Sequence, residues 1–137
     1  MGYKVSPYIS FLDGAQDALE FYRDVLGGSL SIMRMGDIPN PELVESDKDK
    51  VMHGQLDLEN GFVIMASDTP TGMPRDEGAN VSVTIFGDDA DELRGYFEAL
   101  SNGGTVVEPF AQAPWGDWFG MLVDPFGVFW MINSSAN

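Results

Sequence analysis

The sequence predicts an α+β fold of two βαβββ modules, and three observations carry that expectation. The order strand, amphipathic helix, three strands occurs twice. The two helices hold matching aromatic pairs, Phe21-Tyr22 and Tyr96-Phe97. A Gly-Gly pair follows each helix, Gly27-Gly28 and Gly103-Gly104. The repeat is roughly 75 residues long and present only twice, so it is no solenoid unit. One module alone would leave a sheet face bare, so two modules are expected to share a concave surface.

Val5 to Phe11 has the aromatic and β-branched content of a first strand. Asp13 is the expected N-cap of the first helix. Ala15, Ala18, Leu19, Tyr22, Val25 and Leu26 form its apolar stripe. Ser29 to Met35 reads as the second strand. Gly36 to Lys50 holds Pro39, Pro41 and several charges, so an exposed connection or lid is expected there. Val51 to Leu58 and Phe62 to Ser67 form a hairpin across Glu59-Asn60-Gly61. The first module then covers about 4–67, a Pro- and Gly-bearing linker 68–79, and the second module about 80–133. In that second module Val81 to Phe86 is a strand, and Asp88 or Asp89 caps a helix striped by Ala90, Leu93, Tyr96, Phe97 and Leu100. Thr105 to Phe110, Trp118 to Val123 and Val128 to Ile132 complete it.

A chain of 137 residues is one ordinary domain by length, and 44% hydrophobic residues suit a packed core. The formal net charge is −15. Such a chain repels phosphate backbones and anionic lipid, so neither nucleic acid nor membrane is an expected partner. The absence of cysteine removes disulfides, thiolate nucleophiles and Cys-ligated metals. It fits a reducing compartment, and a cytoplasmic location is expected. No apolar run approaches the ~20 residues that span a bilayer. The start lacks a signal-peptide apolar region. Gly2 and Ser6 match the myristoylation spacing, but no polybasic second signal follows. The sequons at Asn80 and Asn133 carry no weight without secretion.

Pro7-Tyr8-Ile9-Ser10-Phe11, Ala18-Leu19-Glu20-Phe21-Tyr22 and Leu26-Gly27-Gly28 resemble the opening of vicinal oxygen chelate proteins. That superfamily includes glyoxalase I, bleomycin-resistance proteins and extradiol dioxygenases. Val51-Met52-His53, Ile64-Met65-Ala66-Ser67-Asp68, Trp115-Gly116, Phe119-Gly120-Met121 and the run Asp124 to Asn133 are similar to its PhnB-like, 3-demethylubiquinone 3-methyltransferase-like subgroup. The resemblance covers nearly the whole chain. It implies the glyoxalase/bleomycin-resistance/dioxygenase fold, and a homodimer. The methyltransferase label is weak guidance, because no glycine-rich cofactor loop follows the first strand.

In glyoxalase-like members, side chains from four strands hold a divalent metal that acts as a Lewis acid. The resemblance carries those positions onto Pro7, Met65, Asn80 and Met131. Proline has no donor side chain, thioethers favour soft ions, and Asn offers one neutral oxygen. No cofactor is therefore expected, and a divalent metal at the inherited site is not. The carried-over positions also set an expected inner lining. It runs through Pro7, Ile9 and Phe11, then Val63, Met65 and Ser67, then Asn80, Ser82 and Thr84, then Phe129, Met131 and Asn133. Trp118 is added as a stacking residue, although tryptophans are core or interface residues first.

His53 is the only histidine, on one strand face with Gln55 and Asp57 against Gly54, Leu56 and Leu58. Two readings stay open for it, a group facing the ligand and a hydrogen-bonded structural residue. Glu42, Glu45, Asp47 and Asp49 are expected as solvated loop charges. Asp68, Asp117 and Asp124 are expected in turns. No G-x-S-x-G elbow or P-loop is present. The lining suits a small organic molecule held by shape and a few hydrogen bonds. The expected function is small-molecule binding of the bleomycin-resistance type without the standard metal ligands. The alternative is a metal-independent or atypical enzyme using His53 as acid or base.

Overall fold

The computed structural model describes residues 2, 4–73 and 81–135. The chain divides into two compact units, residues 1–77 and 78–137.

In the first unit, β1 (Tyr8–Phe11) leads into α1 (Ala15–Leu26), then β2 (Ser29–Arg34), β3 (Val51–Asp57) and β4 (Val63–Asp68). The sheet order is β1-β4-β3-β2. The β1/β4 pair is parallel and the other two pairs are antiparallel. The second unit repeats this with β5 (Val83–Gly87), α2 (Ala90–Ser101), β6 (Thr105–Gln112), β7 (Trp118–Val123) and β8 (Phe129–Ser134). Its order is β5-β8-β7-β6, with β5 and β8 parallel. Two four-stranded mixed sheets with one helix each make the α+β class that the repeat predicts.

Each helix packs on one face of its own sheet. Ala15, Ala18, Leu19 and Tyr22 bury the stripe of α1; Leu93, Phe97 and Leu100 bury that of α2. They meet Leu56, Ile64 and Ala66 in one sheet, and Leu122, Trp130 and Ile132 in the other, all buried. The closest approaches fall on glycines in the central strands. A methyl on Gly54 would strike Leu19 Cδ1, and one on Gly120 would lie 2.6 Å from Phe97 Cε2 and 2.9 Å from Phe110 Cα. The Gly-Gly pairs also act by close approach. A side chain on Gly28 or Gly104 would collide with the carbonyl oxygen of Asp57 or Val123.

Buried carboxylates tie loops to this frame. Asp124 accepts hydrogen bonds from the N–H groups of Phe126 and Val128 and from Trp130 Nε1, at 2.9, 3.0 and 2.9 Å. Asp68 accepts from Ala15 N at 2.9 Å and Val51 N at 2.8 Å, joining the start of α1 to the start of β3. This corrects the expected role of Asp13. The N-cap of α1 is Gly14 at φ 88°, without a side-chain cap. The carboxylate that serves the first turn comes from β4, 53 residues away. In α2 the expected cap holds, with Asp89 accepting from Glu92 N at 3.2 Å.

The 36–50 connection is not uniformly solvated. It contains two 3-10 turns, Met35–Asp37 and Glu45–Asp47, and Asp47 is 2% exposed. Asp47 accepts from the Thr71 hydroxyl at 2.7 Å and the Thr71 N–H at 2.9 Å, and pairs with Lys50 at 3.2 Å. Asp47 is thus an anchor and not a solvated loop charge.

Two expectations follow. Gly120→Ala should destabilise the fold by about 1–3 kcal/mol, because Phe97 and the Phe110 backbone must shift to admit the methyl. Chemical denaturation measures this. The hydrogen bonds from Thr71, with Lys50 beside them, hold the Asp47 carboxyl below its ordinary value. Its stabilising contribution is therefore complete above the unfolded-state value and fades as pH falls through the lower folded-state value. The stability gap between wild type and Asp47→Asn should be widest above about pH 4 and narrow below it. A gap independent of pH would count against the anchor.

Candidate functional site

Because a helix covers one face of each sheet, strand parity decides what the other face shows. In the first unit that open face follows from register. Tyr8 sits opposite Met65 and Ser10 opposite Ser67. Gln55 sits opposite Met65 and Asp57 opposite Val63. Met33 sits opposite His53 and Ser31 opposite Gln55.

One hydrogen-bonded row crosses this face. Tyr8 Oη lies 3.3 Å from His53 Nδ1, and the rings are 5.7 Å apart. His53 Nε2 lies 3.3 Å from Gln55 Oε1. Gln55 Nε2 donates to Asp57 Oδ1 at 3.0 Å. The row exists because residues 53, 55 and 57 alternate onto one side of β3, while Gly54 and Leu56 fill the helix side. Tyr8 reaches it from β1 across β4. It is half exposed, and Met33 and Met65 are partly exposed beside it.

Of the expected lining, His53, Gln55, Met65 and Ser67 come together here. Ile9 and Phe11 do not. Ile9 pairs with Ala66, which is fully buried under α1, and Phe11 is buried against the same side. Tyr8, absent from the expected site, takes the place beside Met65. The signal for it was present. Ser6 and Ser10 alternate with apolar Ile9 and Phe11, which places the serines and Tyr8 on the wetter face.

In the second unit Thr84 sits opposite Met131, and Met121 opposite Met131 from the other side. Phe129 pairs with Val123, and Asn133 with both Phe86 and Phe119. Phe129, Met131, Asn133 and Thr84 therefore share the face turned from α2, and alternation puts Ser82 with them. Asn80 lies outside the described residues. The side-chain oxygen of Asn133 is buried and meets no hydrogen-bond donor among the described residues. Trp118 stands elsewhere. It pairs with Ser134, fully buried on the helix side. Its ring stacks on Phe110 at 5.9 Å, with the Arg94 guanidinium of α2 4.9 Å away. Its partners are thus core and helix groups, not the Met131 face.

The donors on these faces do not fit the divalent ion implied by the fold. The described residues contain no group of three or more His, Cys, Asp or Glu that could hold a metal. The thioethers of Met65 and Met131 are poor ligands for hard cations. Both ring nitrogens of His53 already have partners, and Asp57 is engaged by Gln55. Among the described residues, no helix is long and apolar enough to cross a membrane.

Comparison with known proteins follows the same lines. Residues 3–133 match the family described as 3-demethylubiquinone-9 3-methyltransferase. Protein PA1353 from Pseudomonas aeruginosa is 34% identical, with a TM-score of 0.88 over 99% of this chain and 100% of that one. A PhnB protein from Bacillus cereus is 23% identical with a TM-score of 0.79, covering 97% and 100%. Protein YjdN of Escherichia coli is 24% identical over 94% of this chain and 93% of its own. A glyoxylase/bleomycin resistance protein/dioxygenase domain from Frankia shares the fold, with a TM-score of 0.67 at 14% identity over 98% of each chain. The chain belongs to the 3-demethylubiquinone-9 3-methyltransferase family and has the fold of glyoxalase/bleomycin-resistance proteins.

Proposed function

We propose that the protein binds a small organic molecule on the open face of the first sheet, without a resident divalent metal. The observation that carries this is the Tyr8–His53–Gln55 row set between Met33 and Met65. Apolar side chains beside a short line of hydrogen-bonding groups are what a small ligand needs for burial and orientation. The family description speaks of methyl transfer. Yet the turn after β1, Leu12-Asp13-Gly14, has a single glycine and no fingerprint for a nucleotide-like donor. Binding of the bleomycin-resistance type is the reading the side chains favour. The Tyr8–His53 contact favours acid–base turnover as the second reading.

Native mass spectrometry of protein purified from its own cell should show one bound organic molecule. Met65→Asp, which places a charge in the apolar part of the face, should abolish that binding. His53→Gln should weaken it by about 0.5–1.5 kcal/mol, the value of one hydrogen bond. If no compound perturbs the His53 or Met65 signals in solution, the face is not a binding site. Elemental analysis after dialysis should find less than stoichiometric Mg, Mn, Ni or Zn. One tightly held ion per chain would contradict the metal-free reading.

We also propose a homodimer. In the sheet orders, β1 and β2 are the edges of the first sheet, and β5 and β6 those of the second. Edge strands with free backbone groups favour pairing with a second chain. Sedimentation at micromolar concentration should give twice the chain mass; a monomer there would reject this.

A further inference from the structure

We infer that Asp57 and Gln55 fix the tautomer of His53, that Tyr8 is a proton-relay hydroxyl, and that the ligand carries a weakly acidic hydroxyl, a phenol or an enol. This rests on the binding role proposed for the same face.

With a neutral imidazole and an ionised Asp57, the row has one consistent set of hydrogens. An ionised carboxylate only accepts, so Gln55 turns its amide NH2 to Asp57. The Gln55 carbonyl oxygen then faces His53 Nε2. That contact is a hydrogen bond only if Nε2 carries the proton. In the neutral ring, Nδ1 is therefore the bare acceptor, and the Tyr8 hydroxyl donates to it. With its hydrogen committed, the Tyr8 oxygen offers lone pairs to the ligand. It accepts from a ligand hydroxyl more readily than it donates to a carbonyl.

When such a hydroxyl binds, its proton can pass to Tyr8 Oη as the Tyr8 proton passes to His53 Nδ1. The ligand becomes an oxyanion, Tyr8 stays a phenol that now donates to it, and His53 becomes an imidazolium. One proton has moved and no bond between heavy atoms has changed. The imidazolium keeps its Nε2–H bond to Gln55, with the Asp57 carboxylate behind it. Among the described residues, the titratable groups joined to His53 in this row are Tyr8 from β1, directly, and Asp57 from β3, through Gln55. The neighbouring strands contribute Met33, Ser31 and Met65, which do not ionise. The thioethers leave the ligand's ring in apolar contact.

His53 is the only histidine, so its imidazole nitrogens can be read by NMR in the intact chain without ambiguity. In the free protein at mildly alkaline pH, the Nε2–H tautomer should dominate. Asp57→Asn lets the Gln55 amide turn, so it should mix the tautomers, and Asp57→Glu should restore one. A dominant Nδ1–H form in wild type, or no change in Asp57→Asn, would overturn the inference while leaving the binding role intact. The ligand is tested with 4-nitrophenol and its methyl ether, 4-nitroanisole. The phenol should bind roughly 2- to 12-fold more tightly, as one hydrogen bond gives. Binding should raise the nitrophenolate absorption and convert the His53 signals to imidazolium. Tyr8→Phe should equalise the two probes and abolish both changes. Equal affinity in wild type would overturn the relay. If neither probe disturbs His53 or the Met65 methyl, the binding role of this face fails with it.

Discussion

The contact of α1 with the centre of its sheet governs the first unit. Leu19 closes directly on Gly54, so the helix sits tight against β3, and a side chain there would have to displace the end of Leu19. That packing assigns Leu56, Ile64, Ala66 and Phe11 to the interior. Every residue one position away is thereby sent to the other face. The Tyr8–His53–Gln55–Asp57 row is a consequence of this burial, not an independent design. Asp68 reinforces it by holding the first N–H of α1 and that of Val51 on one carboxylate, which locks the helix start to the strand that carries His53.

The second unit repeats the frame with different chemistry. Phe97 meets Gly120 where Leu19 meets Gly54. Its open face, however, carries Phe86, Phe119, Met121, Phe129 and Met131, with Asn133 as a polar residue among them. The helix-side residues answer to packing and keep the same pattern in both units. The open faces answer to no helix, and they differ: the first carries a hydrogen-bonded row flanked by Met33 and Met65, the second a more apolar field with Thr84 and Asn133 in it.

Much of this was legible in the sequence because it is local. Helix stripes, the Gly-Gly pairs and the faces of β3 and β8 follow from periods of 3.6 and 2 read over a few residues. The parity of β1 was not. Its strand is only four residues long, and a resemblance that set Pro7 inward displaced the weaker alternation of Ser6, Ser10, Ile9 and Phe11. Trp118 misled because an indole beside loop glycine and aspartate suits a ligand as well as it suits Phe110 and Arg94. Asp13 and Asp47 misled for a third reason. The carboxylate that serves α1 lies 53 residues away, and the partner of Asp47 is Thr71, 24 residues away. No local pattern contains such pairs.

The same row bears on why a metal-free site is chemically coherent on the reading proposed here. A histidine can ligate an ion only through a ring nitrogen with a free lone pair. With the hydrogens inferred above, Nε2 donates to the Gln55 carbonyl oxygen and Nδ1 accepts from Tyr8. A metal would have to displace Tyr8 from Nδ1 or reverse Gln55, and reversing Gln55 would turn a carbonyl oxygen against the Asp57 carboxylate. Met65, opposite Gln55, is a thioether and a poor second ligand for a hard cation. The hydrogen-bonded row and ligation of a metal are thus competing uses of the His53 imidazole, which is itself not one of the inherited metal positions Pro7, Met65, Asn80 and Met131. On the proposed reading, what the open face of the first sheet offers a ligand is exchange of a proton along this row.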